Sequence, residues 1–194
     1  MPVWLWDPAQ PDELNGADGC FLSLLTTMRF IFEYNWKLMN IELGKTAPEF
    51  TLYNTEKTRV SLADFRGRNV LLLFFPQAFT SVCTKELCSV RDHIADYQNV
   101  KAQVLGISVD SLYTLARFKA DQSLNFPLLS DFNKEVSKKY GALYETWNYD
   151  MKGVSKRAAF IIDKSGILRY AEVMEDAGKI PDFGAINASL ENLG

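Results

Sequence analysis

The residues VLLLFFPQAFTSVCTKELCSVRDHIADY, numbered 70–97, determine the fold class. Residues 70–75 form a continuous apolar run, which is typical of a strand that is buried on both faces of a sheet. Pro76 ends this run, and residues 81–98 then carry apolar side chains at helical spacing: Val82, Leu87, Val90, Ile94 and Tyr97. A buried strand that leads directly into an amphipathic helix predicts an α/β domain.

Strands and helices alternate on both sides of this unit, over residues 39–194. The sequence predicts further strands at residues 50–53, 58–60, 104–109, 126–129, 158–162 and 167–174. It predicts a capped helical turn after Ser61 and helices over residues 111–121, from Asp131 to Tyr140 and from Pro181 to Leu193. We therefore expect a central mixed β-sheet with helices on both faces.

Residues 1–38 differ in composition from the rest of the chain. The whole formal net charge of −3 falls in them, as do three of the four Trp residues. We interpret this segment as an N-terminal extension, separate from a domain that spans residues 39–194. Three interpretations stay open: an appendage without a role in the chemistry, a packing or partner-binding helix near residues 20–38, or a targeting segment. Met39 offers a second start of translation, which favours the first.

The overall composition excludes several functional classes. A net charge of −3 is too small for a polybasic nucleic-acid binder, and no apolar run reaches the ~18–20 residues of a membrane span. Three cysteines are too few for a disulfide scaffold, so we expect a reducing, cytoplasmic compartment. A zinc site would need all three cysteines and the single histidine without a recognisable spacing, so we expect no metal.

Cys83 is the first candidate for chemistry, because it falls in the first turn of the predicted helix, after the carboxyl end of the buried strand. Unpaired N–H groups and the positive end of the helix dipole favour an anion there, so a thiol at this position tends to ionise and to act as a nucleophile. Active sites of open α/β sheets commonly lie at this edge. Position alone is equally compatible with a small core residue.

Cys88 follows five residues further along the same helix. On an ideal helix the two cysteines point about 140° apart, and their Cα atoms lie about 8–9 Å apart, beyond the roughly 4.4–6.8 Å that a disulfide allows. The apolar stripe places Cys83 toward the protein body and Cys88 on the more exposed side. The two thiols can pair only if the first turns of the helix unwind; otherwise Cys88 is an inert surface residue.

The spacing Pro76-x-x-x-Thr80-x-x-Cys83 resembles the active-site signature of peroxiredoxins, P-x-x-x-[TS]-x-x-C. The surrounding residues are similar to the branch that includes the bacterioferritin-comigratory (Q-type) proteins and the E-type alkyl hydroperoxide reductases. The resemblance covers about residues 41–193. It has two further elements, an opening G-x-x-A-P-x-F and an arginine before a late strand: Gly44, Ala47, Pro48, Phe50 and Arg157. It implies a thioredoxin-like fold and a thiol peroxidase without a cofactor.

The resemblance also implies a role for each matched residue. Cys83 is the peroxidatic thiolate, which attacks a peroxide and becomes a sulfenic acid. Arg157 holds the thiolate and the peroxide oxygens, and Thr80 supplies a hydroxyl that both donates and accepts. Pro76 shields the pocket from water, and the backbone N–H groups of Val82 and Cys83 bind the peroxide.

The resemblance leaves open how Cys83 is recycled. Cys88 stands where many Q-type members carry a resolving cysteine, which forms an intramolecular disulfide that a thioredoxin-like donor reduces. E-type relatives work without a cysteine there, so a one-Cys peroxidase resolved by an external thiol is the alternative.

A homodimer is common in the family. The alternative from another functional class is a redox sensor or a thiol-dependent holdase, in which oxidation of Cys83 changes the conformation. A disulfide oxidoreductase is a nearer alternative, and the missing C-x-x-C disfavours it.

Two further residues near Cys83 receive a structural interpretation. Glu86, one turn along the helix, is expected to form a salt bridge on the helix face, with a hydrogen bond to Arg157 as the alternative. His93 is the only histidine in the chain, and its distance of ten residues from Cys83 argues against a general base.

Overall fold

A computed structural model of the chain describes residues 41–193. The interpretations of residues 1–38 therefore lie outside the described residues. The strands are β1 (Thr51–Asn54), β2 (Arg59–Ser61), β3 (Asn69–Phe74), β4 (Ala102–Ser108), β5 (Leu128–Ser130), β6 (Leu143–Tyr144), β7 (Val154–Ser155), β8 (Ala158–Ile162) and β9 (Leu168–Val173). The helices are α1 (Ser81–Asp92), α2 (Ile94–Asn99), α3 (Leu112–Asp121), α4 (Glu135–Lys139) and α5 (Phe183–Glu191), with 3₁₀ turns at Leu62–Phe65 and Asn148–Asp150.

Seven of the strands form one mixed sheet in the order β2-β1-β5-β4-β3-β8-β9, and β6 pairs with β7 separately. Strand β3 lies between β4, which is parallel to it, and β8, which is antiparallel. In this register Leu72 lies opposite Leu105 on one side and Phe160 on the other. The antiparallel pairs β8–β9 and β1–β2 complete the two edges.

The side chains of β3 divide the hydrophobic core into two layers. Leu71 and Leu73 pack in the layer that holds α1, α3 and α5, whereas Leu72 and Phe74 pack in the layer that holds α4. All six residues of β3 are buried, as the apolar run predicts for a central strand. The predicted mixed sheet with helices on both faces is confirmed.

The helix predicted over residues 81–98 is wrong in one respect: it is two helices. α1 ends at Asp92, His93 has φ −109° and ψ 19°, and α2 begins at Ile94. The apolar stripe continues across the break, because Ile94 and Tyr97 still pack on the layer that contains Leu87 and Val90. Periodicity alone therefore did not reveal the break.

Several other predicted boundaries shift by a few residues. The strand predicted at residues 126–129 is β5, at Leu128–Ser130. Asp131 does accept hydrogen bonds from the N–H groups of Val136 and Ser137, at 3.1 and 2.6 Å, but α4 itself begins only at Glu135. The last helix begins at Phe183 and is capped by the Asp182 carboxylate, so Pro181 precedes it. The two-residue strands β6 and β7 were not predicted.

Two pairs of consecutive strands, β1–β2 and β8–β9, form antiparallel hairpins. Between β8 and β9, the Asp163 carboxylate accepts hydrogen bonds from the N–H groups of Ser165 and Ile167, and Gly166 takes φ +81°, a conformation that favours glycine.

Within residues 41–193, no helix is both long and apolar enough to cross a membrane.

Candidate active site

The loop between β3 and α1 places the predicted motif at the carboxyl end of the central strand. Phe75 continues the strand by donating its N–H to the Ile107 carbonyl oxygen at 3.0 Å, and the buried Pro76 follows. Phe79 has φ +65°, which is unfavourable for a residue with a side chain. This conformation lets the chain turn from the sheet into the first residue of α1.

Thr80 occupies the N-cap position of α1. Its hydroxyl donates to the Gln77 carbonyl oxygen at 3.0 Å, and its own carbonyl oxygen accepts from the Thr84 N–H at 2.9 Å. The hydroxyl of Thr80 thus bridges the loop back to Gln77, and the lone pairs of its oxygen remain available to accept from a further donor.

Cys83 lies in the first turn of α1 and is only 1% exposed. The first N–H groups of a helix have no partner within the helix, and together with the helix dipole they favour a negative charge. The Cys83 Sγ also accepts a hydrogen bond from Nη2 of Arg157, at 3.3 Å. Two independent sources of positive potential therefore converge on this sulfur.

Arg157 reaches the site from the residue before β8 and is itself 1% exposed. Besides Cys83, its guanidinium contacts two oxygens: Nη1 donates to Oε2 of Glu86, and Nε and Nη2 donate to the Ala177 carbonyl oxygen at 3.3 and 3.0 Å. Ala177 lies in the segment between β9 and α5, so this contact ties the guanidinium to that segment. The side chain is therefore fixed by three acceptors, two in α1 and one in the segment between β9 and α5.

Glu86 is fully buried next to this arginine, and no hydrogen-bond partner is present for its second carboxylate oxygen, Oε1, among residues 41–193. Burial raises the pKa of Glu86 to about 7, against the opposing charge of Arg157. Burial also opposes the charge of Arg157, but Glu86 and Cys83 outweigh it and raise the pKa of the guanidinium. Arg157 therefore remains a cation between two acidic groups.

Cys88 lies in the same unbroken helix as Cys83, and both are free thiols. The expectation that Cys88 lies at the surface is wrong in part: it is half-buried and packs against the layer of α1. Its Sγ lies 3.6 Å from Oε1 of Gln122, just beyond α3. The intact helix separates the two cysteines by about the 8–9 Å between Cα atoms that ideal geometry gives.

The structure joins the predicted residues Cys83 and Arg157 directly, and it brings Thr80 and Pro76 to the same loop. The helix-face salt bridge expected for Glu86 is wrong: the alternative, a hydrogen bond to Arg157, is the contact that forms, as part of a buried ion pair. The position of Glu86 three residues after Cys83, on the buried side of the helix, is the signal for this contact. The Ala177 carbonyl has no such signal, because it belongs to the backbone. His93 is exposed at the far end of α1, outside this group.

The arrangement can stabilise a thiolate and offers hydrogen-bond donors to a second atom beside it. An arginine fork, a hydroxyl and helix N–H groups around one sulfur suit a displacement in which negative charge moves from sulfur to oxygen. Among residues 41–193, no group of three or more histidine, cysteine or carboxylate side chains is placed to bind a metal ion.

Comparison with known proteins agrees with this chemistry. The AhpC/TSA family matches residues 43–171. Alkyl hydroperoxide reductase E from Mycobacterium tuberculosis is 40% identical over 145 residues, which are 73% of this chain and 91% of that protein. Peroxiredoxin-2 from Mus musculus is 38% identical over 144 residues, which are 69% of this chain and 70% of that protein.

Solved structures give the same answer for the fold. Peroxidoxin BcpB from Mycobacterium tuberculosis aligns with a TM-score of 0.70 and 27% identity, over 80% of this chain and 99% of that one. The mitochondrial 2-Cys peroxiredoxin from Plasmodium falciparum aligns with a TM-score of 0.67 and 32% identity, over 78% of this chain and 93% of that one. The predicted thioredoxin-like fold is confirmed. The chain belongs to the AhpC/TSA family and is a thiol-dependent peroxidase of the peroxiredoxin type.

Proposed function

We propose that Cys83 is the peroxidatic residue and that it reduces hydrogen peroxide and organic hydroperoxides. The observation that carries the proposal is the 3.3 Å hydrogen bond from Arg157 to Sγ in the first turn of α1. The thiolate sulfur attacks one peroxide oxygen, the O–O bond breaks, and the other oxygen leaves with the bonding electron pair and takes a proton. Sulfur is oxidised to the sulfenic acid, and the peroxide is reduced to water or an alcohol.

The groups around Cys83 have different roles in the attack on the peroxide. The fixed cation of Arg157 faces the sulfur before the reaction and can follow the charge to the leaving oxygen. The Thr80 hydroxyl accepts from the incoming peroxide through its free lone pairs, and the N–H groups of Val82 and Cys83 donate to the peroxide oxygens. Pro76, buried at the end of β3, keeps water away and brings no N–H of its own.

We further propose that Cys88 resolves the sulfenic acid. The Cys88 sulfur attacks the Cys83 sulfur, water leaves, and the disulfide is then reduced by the dithiol of a thioredoxin-like donor. Because both cysteines lie in intact helix, part of α1 must unwind first. The intact helix also favours the alternative scheme, in which an external thiol resolves Cys83 and Cys88 takes no part.

Two further proposals concern the oligomeric state and the cellular compartment of the enzyme. Exposed aromatic rings such as Phe79 and Tyr113, 52% and 68% exposed, support a homodimer, which sedimentation velocity tests. Two free thiols support a reducing, cytoplasmic compartment, which cell fractionation tests.

Turnover measurements test the catalytic proposal. The wild-type protein should consume peroxide when supplied with a dithiol or thioredoxin, and Cys83→Ser should abolish this consumption. Turnover by Cys83→Ser equal to that of the wild type would exclude Cys83 as the reacting thiol.

Intact mass separates the two recycling schemes. After one equivalent of peroxide, a disulfide lowers the mass by about 2 Da, whereas a persistent sulfenic acid raises it by about 16 Da. Internal resolution predicts the loss for the wild type and the gain for Cys88→Ser, together with loss of thioredoxin-dependent turnover. A gain of mass in both proteins identifies the external-thiol scheme.

A further inference from the structure

We propose that Asp110 is a positioning residue that holds the loop of the active site in its reactive conformation, an inference that rests on the proposed role of Cys83. Asp110 lies outside the sequence motif, two residues beyond the end of β4 and directly before Ser111, which caps α3. It reaches the motif because β4 and β3 are parallel neighbours whose carboxyl ends meet at one edge of the sheet.

The carboxylate of Asp110 receives two hydrogen bonds through the same oxygen. Oδ2 accepts from the backbone N–H of Ala78 at 2.8 Å and from the hydroxyl of Ser108 at 2.7 Å. Ala78 belongs to the loop between β3 and α1, whereas Ser108 is the buried last residue of β4. The carboxylate is thus a direct link between the rigid sheet and the catalytic loop.

The backbone of Asp110 is fixed as firmly as its side chain. Its N–H donates to the Ser108 hydroxyl oxygen at 3.1 Å, and its carbonyl oxygen accepts from the Ser130 hydroxyl at 2.6 Å. Ser130 is the last residue of β5, so two neighbouring strands hold Asp110. Because its backbone is anchored in this way, Asp110 can restrain the position of the loop residue Ala78.

The loop needs such an anchor because its own conformation is unfavourable. Phe79, the residue after Ala78, has φ +65°, and its ring is half-exposed. Without Asp110, the Ala78 N–H would lose its partner at a site where the residue is 9% exposed. The single bond to Asp110 therefore satisfies a buried donor and holds the chain against relaxation of Phe79.

The held segment carries the groups that surround the sulfur. Gln77 and Thr80 flank Ala78 and Phe79, and the Thr80 hydroxyl donates to the Gln77 carbonyl oxygen across this turn. Thr80 in turn begins α1, whose first turn contains Cys83. A shift of Ala78 would displace the hydroxyl and the helix N–H groups together, and small displacements in an active site reduce rates strongly. Asp110 therefore acts through the loop and not on the reacting atoms.

The test compares Asp110→Ala with the conservative Asp110→Asn, whose amide oxygen can still accept from Ala78 and Ser108. The readout is the bimolecular rate constant for Cys83 oxidation by hydrogen peroxide in a single turnover, followed by quenched-flow mass spectrometry. We expect a loss of about 10- to 100-fold for Asp110→Ala and rescue to within about threefold for Asp110→Asn. Asp121→Asn, which alters an exposed ion pair with Arg117, is the matched control and should keep the wild-type rate.

Two results would overturn the proposal: an unchanged rate in folded Asp110→Ala, or an Asp110→Asn that is as slow as Asp110→Ala, since an effect of the negative charge alone gives no rescue. If Asp110→Ala does not fold, amide exchange of Ala78 decides. Protection of this N–H in both wild type and Asp110→Asn supports the proposal, and exchange at the rate of an exposed amide contradicts it. Peroxide turnover by Cys83→Ser would instead contradict the proposed function itself.

Discussion

The guanidinium of Arg157 contacts the Cys83 sulfur, the Glu86 carboxylate and the Ala177 carbonyl oxygen at the same time. A buried cation that serves three acceptors cannot be replaced by a point charge of the same sign, because one ammonium group lacks the planar fork. The activity of the site should therefore depend on the shape of this side chain as well as on its charge.

Arg157→Lys tests the dependence on shape. We expect the rate constant for Cys83 oxidation to fall about 100-fold, since the lysine keeps the charge but loses the fixed donors toward sulfur and peroxide. Stopped-flow kinetics with hydrogen peroxide measures this change. Arg169→Lys, which alters an exposed pair with Asp163, should leave the rate unchanged. Retention of the wild-type rate by Arg157→Lys, within about threefold, would show that charge alone suffices.

Glu86→Gln tests the buried acid through the pH dependence of stability. Burial raises the pKa of Glu86 to about 7 from its ordinary 4.5, so the folded protein binds more protons than the unfolded chain between these values. The contribution of Glu86 to the free energy of unfolding is therefore present at low pH and is lost as the pH rises through about 7.

Over this range we expect the wild type to lose up to about 3 kcal/mol more than Glu86→Gln, as measured by denaturant unfolding at a series of pH values. The exposed Glu145 supplies the control, because Glu145→Gln should keep the slope of the wild type. Equal slopes for Glu86→Gln and the wild type would show that Glu86 does not titrate in this window.

At the scale of single residues, the sequence identifies those that belong to a spaced motif. Cys83 and Thr80 follow from the spacing around Pro76, and Arg157 follows from its place before a late strand. Asp110 and the Ala177 carbonyl oxygen do not follow from the sequence, because their contacts join segments that are distant along the chain and have no fixed spacing to the motif.

Among the elements, α1 carries Cys83 and Cys88 and therefore sets the conditions for the proposed resolution by Cys88. Near its end, Arg91 donates through Nη1 to the Gln122 carbonyl oxygen at 2.6 Å, and Asn125 donates to the Arg91 carbonyl oxygen at 3.2 Å. Together with the contact between Cys88 and Gln122, these bonds hold α1 to the segment that follows α3. Unwinding of α1 around Cys88 must break some of them.

Under the proposed resolution by Cys88, Arg91→Ala should therefore speed the formation of the Cys83–Cys88 disulfide. Loss of one hydrogen bond from a charged group is worth about 1.5 kcal/mol, which corresponds to about a tenfold rise in the rate of resolution. The rate of the peroxide step should stay the same. Quenched-flow mass spectrometry after one equivalent of peroxide follows both steps, with Lys85→Ala, exposed on the same helix, as the control. A rate of disulfide formation equal to that of the wild type would contradict the need to release this end of α1.

Elements were predicted well where an apolar run marks them, as for β3 and β8. The break at His93 was not predicted, because the apolar positions continue across it and neither glycine nor proline marks it. The strands β6 and β7 have only two residues each, too few for any periodic pattern.

For the whole molecule, the sequence separates residues 39–194 from a segment of different composition. The family match at residues 43–171 and the packed layers on both faces of the sheet lie within this domain. A protein that begins at Met39 should therefore fold and keep the rate constant of the full chain for Cys83 oxidation within about twofold. Circular dichroism and single-turnover kinetics check this, and loss of either would show that residues 1–38 belong to the functional unit.

The central claim is that Cys83 is the thiol that reacts with peroxide. Its most direct test is the second-order rate constant of the reduced full chain with hydrogen peroxide, with the oxidised residue located by sulfenic acid labelling and peptide mass spectrometry. We predict a rate constant at least about 1000-fold above that of a free thiolate, with the label on Cys83 in Cys88→Ser, because Arg157 and the helix terminus stabilise the displaced charge. A rate no faster than that of a free thiolate, or a label on another cysteine, would contradict the account.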